Sequence, residues 1–306
     1  MKRTFLYIIV ALLLLTEIVA AQQNNFNIYP DSLNKKRLKT MIISGSVIYS
    51  VSMIGLYNLW YKDYPQTNFH FFNDNNNWRS MDKMGHAFTT YSVARLGYAS
   101  FRWTGLSENK AIWFGGLLGF AHASIVEVMD GFSAEWGASY GDLIGNTLGT
   151  SLFITQQLLW HDQRIVLKYS YHPTDFPNYR PDLLGKTTLQ NIFEDYNGIT
   201  IWASANIYSF LKKESKFPKW LNIAFGYGAD GMTGAFRNST EYNGKAIPAF
   251  RRSTQIYIAL DIDLTKIPTR SKFMHILFNA LSFVKIPLPT FEFSSAGNPK
   301  FHLIYF

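Results

Sequence analysis

Seven polar residues, set at helical spacing within otherwise apolar sequence, are the ones in this chain whose types could do chemistry: Asp82, Lys83, His86, Glu127, Asp130, Asp142 and Asn146. Asp82 and His86 are four apart, Glu127 and Asp130 three, and Asp142 and Asn146 four, so each pair shares one face of its own helix. His86 could act as general acid or base with Asp82 or Glu127 orienting its ring, while Lys83 stabilises an anion such as a phosphoryl group. Glu127 beside Asp130 adds the like-charge repulsion that suits proton transfer. The same groups supply O and N ligands for a metal, although the Glu-x-x-His di-metal signature is missing. A structural reading stands beside both: Asp82, Ser139 and Asp142 cap helices, Lys83 neutralises the acids, and His86 with Asn146 completes a hydrogen-bond network. The residues alone leave all three open and assign no cofactor, metal or substrate. His122 is rotated away from Glu127 and reads as an ordinary core or surface histidine.

Three helices must position these residues, over roughly 82–103, 108–130 and 140–160. Ser80 or Asp82 can cap the first and Ser107 the second, and Ser139-Tyr140-Gly141-Asp142 has the form of a capping box for the third. Short connections make sequential helices antiparallel neighbours, so the three polar pairs are expected at one end of a bundle. Gly116, Gly119 and Ala123 lead along one stripe toward Glu127 and Asp130, and Gly145 and Gly149 continue the face of Asp142 and Asn146. Smooth faces of this kind allow close packing.

The N-terminus points to export. Lys2 and Arg3 precede an apolar run from Phe5 to Leu15, and Val19-Ala20-Ala21 offers the small residues of a cleavage site before Gln22, with an uncleaved anchor as the alternative. The chain has no cysteine, which excludes a lipidated N-terminal Cys, disulfides and thiolate metal sites. A second apolar stretch, Met41 to Trp60, is long enough to span a bilayer, but a cleaved signal would put Lys35, Lys36, Arg37 and Lys39 on the exported side, against the positive-inside tendency. It is therefore either a buried or peripheral helix with a basic collar on lipid headgroups or a true span in another topology. The 306 residues are 47% hydrophobic and 17% aromatic, which excludes disorder. The net charge of +8 is scattered and carries no nucleic-acid motif, so membrane lipid is the expected partner and nucleic acid is not.

The ordered pattern Asp82-Lys83-x-x-His86, Glu127-x-x-Asp130-Gly131 and Ser139-x-x-Asp142-x-x-x-Asn146-x-x-Gly149 resembles the YfiM-like family of predicted periplasmic lipoproteins, a domain of unknown function, over about residues 40–160. It is similar, more faintly, to the VanZ-like membrane proteins. Neither resemblance implies an established chemistry. The chain departs from the lipoprotein pattern in lacking a lipobox Cys and in carrying a long extra C-terminal half.

Beyond Trp160, residues 161–181, with Pro173, Pro177 and Pro181, read as an irregular linker. The stretch 199–211 is ambiguous between helix and strand, whereas 253–264 alternates as a half-buried strand with Ile256, Ile258, Leu260, Ile262 and Leu264 on the face that needs cover. Leu221 to Tyr227 repeats that pattern, 301–306 offers a last strand, and 273–283 looks helical. About four strands fall short of the eight that close an outer-membrane barrel. The expected fold is α+β: an antiparallel bundle of about four apolar helices followed by a small antiparallel sheet packed on it. The expected segments are 1–21 (signal peptide), 22–80 (apolar helix and polar loop), 81–165 (helical core) and 166–306 (linker and β-rich region). The expected function is that of an exported envelope protein at a membrane surface, with a hydrolase or transferase acting on a lipid or glycoconjugate as the alternative.

Overall fold

The computed structural model describes residues 30, 32–62, 64–212 and 214–306, and the expected signal peptide lies outside them. The chain forms two compact units. The first takes in the described residues up to Asn73, then Thr89–Gln163 and Pro268–Leu281; the second takes in Asp74–Phe88, Arg164–Ile267 and Ser282–Phe306.

In the first unit, α1 (Lys35–Leu56) starts at Asn34, whose side chain accepts the Arg37 amide at 3.0 Å, and ends in a π-helical turn, Tyr57–Tyr61. Three long helices follow: α2 (Met81–Trp103), whose first two turns count with the second unit, α3 (Glu108–Asp130) and α4 (Tyr140–Trp160). Their limits fall within a residue of those expected. Ser139 caps α4, its Oγ accepting the Asp142 amide at 3.1 Å, whereas Ser107 occupies the N-cap of α3 without a side-chain bond. Glycines set the helix separations. A β-carbon on Gly115 would lie 2.1 Å from the Tyr98 amide nitrogen, and one on Gly119 would lie 2.6 Å from the Thr90 carbonyl, so the two backbones touch where no side chain fits. Gly116 instead makes room for the Ile154 side chain of α4, whose Cγ1 would lie 2.7 Å from an added β-carbon. Two short strands, β1 (Phe71–Phe72) and β2 (Ala138–Ser139), pair in parallel before α4 begins.

The second unit overturns the expected architecture. Among the described residues the chain has eight helices, and its C-terminal half is built on one six-stranded antiparallel sheet. The sheet strands are β3 (Ile165–Tyr171), β4 (Ile199–Asn206), β5 (Leu221–Asp230), β8 (Ser253–Ile262), β9 (Leu288–Ser294) and β10 (Lys300–Tyr305), in the order β10-β9-β8-β5-β4-β3; β6 (Glu241–Tyr242) and β7 (Lys245–Ala246) form a separate hairpin. A bundle of about four helices with a small β region is therefore incorrect. Residues 161–181 are not an irregular linker either, because β3 runs through them. Two of its inward positions are Lys168 and Ser170, so no apolar-in alternation announced it.

The faces of the sheet are also reversed from expectation. On β8, Tyr257, Ala259 and Asp261 are buried, while Ile256, Ile258 and Leu260, the residues expected to need cover, are exposed. The buried face curls on itself: the Tyr305 hydroxyl on edge strand β10 lies 3.4 Å from His172 Nδ1, just past the opposite edge strand β3. Trp202, Ala224, Tyr257, Ala259 and Tyr305 form its aromatic core. A second core on the other face gathers Trp78, Met81, Ile199, Ile201 and Met232. It covers the β3–β4 side and leaves the rest of that face bare.

Candidate functional site

In the first unit, the acids at the end of α3 are acceptors for their own surroundings. Glu127, 3% exposed, accepts the Ser139 backbone amide at 2.9 Å, and Ser139 in turn caps α4. One carboxylate thus fixes the end of α3 to the start of α4. Asp130 Oδ1 accepts from the Tyr61 hydroxyl at 2.5 Å and from Trp136 Nε1 at 2.6 Å, tying the turn after α1 and the α3–α4 loop to the same helix end. Asp142 and Asn146 lie one turn apart on the inward face of α4, 5% and 0% exposed, with Thr150 buried a turn further on. His122 is half-buried and meets Tyr49 edge-on at 5.6 Å.

Asp82, Lys83 and His86 belong to the second unit. The Lys83 ammonium lies between two carboxylates, 2.6 Å from Asp74 and 3.0 Å from Asp82. His86 Nε2 is 3.9 Å from the other oxygen of Asp82. Ser80 and Asp82 do not act as expected at the helix start: Ser80 Oγ donates to the Asn75 carbonyl, and Asp82 stands inside the first turn. The turn leading into α2 is held by force. Trp78, Arg79 and Ser80 all have positive φ (47°, 51° and 65°), a backbone that costs about 1–3 kcal/mol per residue for side-chain-bearing types. Contacts that hold it include Trp78 stacked on Tyr196, the Tyr227 hydroxyl donating to the Arg79 carbonyl at 2.6 Å, and Arg79 Nε donating to Thr254 at 2.8 Å.

Two buried polar networks had no signal strong enough to be read from sequence. In the first unit Gln163 accepts from Tyr91 and Gln156 and donates to Gln157, which reaches Tyr98 and Glu108, with His161 3.1 Å from Glu108. In the second unit the sheet interior holds Lys168 against Asp261 at 2.7 Å, the two being 2% and 0% exposed. Ser204 donates to Asp261 at 2.6 Å, Asn222 donates to Ser204, and Asn206 donates to Asn222. Lys285, 4.7 Å over the Trp202 ring, is lowered to about 8 by desolvation, only partly offset by nearby Asp261. Burial likewise holds His172 below the usual imidazole range.

Residues 70–157, which include all seven candidate residues, match the family described as predicted periplasmic lipoprotein (DUF2279). No curated protein and no solved structure matches the chain. The description of that family places its members in the periplasm. A lipid anchor of the bacterial type is built on cysteine, and this sequence contains none.

Proposed function

We propose that this chain is an exported cell-envelope protein whose helical unit is embedded in a membrane and whose polar residues at the helix ends are structural ties. One observation carries the reading: α4 is inverted relative to a helix of a water-soluble core. Over its first three turns the inward residues are small or polar, namely Gly141, Asp142, Gly145, Asn146, Gly149 and Thr150, and only further on do Phe153 and Ile154 turn inward, while Ile144, Leu148 and Leu159 point outward at 61%, 61% and 66% exposure. In water such a face would lose about 1.5–3 kcal/mol for each large apolar side chain left uncovered. In hydrocarbon it loses nothing, and small residues become the ones that bring helices together.

Supporting observations run the same way. Among the described residues, α1 and α3 are each long and apolar enough to cross a membrane. α1 exposes Ile43, Val47 and Ile54 along its length and carries exposed Lys35, Lys36 and Lys39 at its start, a collar suited to anionic headgroups. With 23 residues, α3 is roughly 34 Å long, about the thickness of the hydrocarbon layer. Its two ends lie in polar clusters, Glu108 with Gln157 at one and Glu127 with Ser139 at the other.

The bonding of Glu127 and Asp130 favours structure over reaction, because both carboxylates accept from groups that fix neighbouring elements. Lys83, held between Asp74 and Asp82, is committed to carboxylates and poorly placed to stabilise a substrate anion. Alkaline carbonate extraction of the envelope fraction tests the membrane assignment: the chain should stay in the membrane pellet. Its release to the supernatant, as for a peripheral protein, would overturn the reading.

A further inference from the structure

The geometry points to a second lipid contact, made by the bare face of the β-sheet: Phe225, Ile258, Leu260, Phe291, Phe301 and Leu303 form a surface that lies against the acyl chains of an anionic phospholipid layer. These six side chains are between 36% and 70% exposed and sit on the four adjacent strands β5, β8, β9 and β10. Their registers place them side by side. Phe225 faces Ile258 across the β5–β8 ladder, Ile258 faces Phe291 across β8–β9, and Phe291 faces Phe301 across β9–β10, with the last two rings 5.0 Å apart. Four strands at about 4.8 Å spacing give an unbroken apolar width of roughly 15 Å.

Two features select lipid as the occupant. First, the polarity of the sheet is that of strands immersed in a bilayer, with apolar residues out and polar residues in. The alternate positions hold Lys168, Asp261, Ser204, Asn222, Thr290 and Glu292, all buried beside the aromatic core of Trp202, Tyr257 and Tyr305. Six strands, with β10 at one edge and β3 at the other, where Tyr169 bridges to Val284, fall short of the eight that close a spanning barrel, so the sheet enters one leaflet on its face. Second, the rim at the Leu221 end of this face is cationic and aromatic. The β4–β5 connection exposes Lys212, Lys216, Lys219 and Trp220, and Lys219 Nζ stands 5.3 Å over the Tyr208 ring. Lysine and tryptophan at the edge of an apolar face match the headgroup layer, where each basic residue contributes about 1 kcal/mol of attraction to anionic lipid. This surface lies wholly in the second unit and does not depend on the helices being embedded.

Because the chain has no cysteine, single-cysteine variants of the full-length protein give unique labelling sites. Ile258→Cys and Phe291→Cys, carrying an environment-sensitive fluorophore, are reconstituted in vesicles of phosphatidylethanolamine and phosphatidylglycerol; Lys245→Cys on the β6–β7 hairpin is the control, and Leu148→Cys reports the helices. The expected result is a blue shift and several-fold quenching by nitroxide-bearing acyl chains at positions 258 and 291, with neither at 245. Reversing charge at Lys212, Lys216 and Lys219 together should weaken that quenching while leaving position 148 unchanged. Quenching of 258 and 291 by aqueous iodide, with 148 still lipid-quenched, would overturn the sheet contact and leave the helical assignment standing. Shielding of 258 and 291 from both quenchers, together with crosslinking between copies, would overturn it in favour of a self-association face.

Discussion

Replacing Ile144 and Leu148 together with lysine is expected to cost on the order of 3–4 kcal/mol of membrane insertion, since a lysine at the centre of a spanning helix costs about 2.5–3.5 kcal/mol and one nearer the helix end, as at position 144, costs less. The two positions are a turn apart on the outward face of α4 and both are well exposed, so the substitution breaks no contact inside the unit. A drop in the membrane-integrated fraction or rapid degradation of the double variant is the expected outcome, read by alkaline extraction beside the parent. If the face met water, the same change would leave stability unaltered and improve solubility. Normal accumulation of a soluble, folded double variant would therefore contradict the membrane reading.

Asp261→Ala should be the most damaging single substitution in the sheet unit, destabilising it by about 3–5 kcal/mol, because it strands the Lys168 ammonium in an interior where that charge is 2% exposed. Asp261 also accepts from Ser204 at 2.6 Å and from the Ile286 amide at 3.2 Å, so its loss opens the link between β4 and the segment before β9. Lys168 would retain the Ile262 carbonyl at 2.8 Å, which satisfies a hydrogen but not a charge. Denaturation of the detergent-purified chain measures the effect. The double variant Lys168→Met, Asp261→Leu removes the charge and its counter-charge together and should recover most of the loss. A change below about 1 kcal/mol for Asp261→Ala would show that the pair is solvated.

How far the sequence could be read depended on local chemistry. The limits of α2, α3 and α4 were legible because glycines and the Ser139 cap mark them independently of what surrounds the helices. β8 was legible as a strand for a similar reason, since alternation depends only on the pleat. Its facing was read backwards because alternation marks the pleat and not which face is covered, and the actual inward residues are Tyr257, Ala259 and Asp261. β3 and β9 went unread because their inward Lys168, Ser170, Thr290 and Glu292 look like loop or surface residues. Pro173, just past β3, strengthened the linker reading. The seven candidate residues were singled out by their spacing, whereas Gln156, Gln157 and Gln163 were not, because glutamine gives no signal of burial. The roles of Glu127 and Asp130 as ties depended on partners at Ser139, Tyr61 and Trp136, and only the fold supplies that pairing.

The membrane placement of the helical unit is tested most directly by spin labels at positions 144, 148 and 159, introduced as Ile144→Cys, Leu148→Cys and Leu159→Cys and reconstituted in phospholipid bilayers. Collision with dissolved oxygen, which concentrates in hydrocarbon, should be high at all three positions, and collision with a water-soluble nickel chelate should be low. High nickel accessibility at positions 144 and 148 would place the outward face of α4 in water and contradict the account.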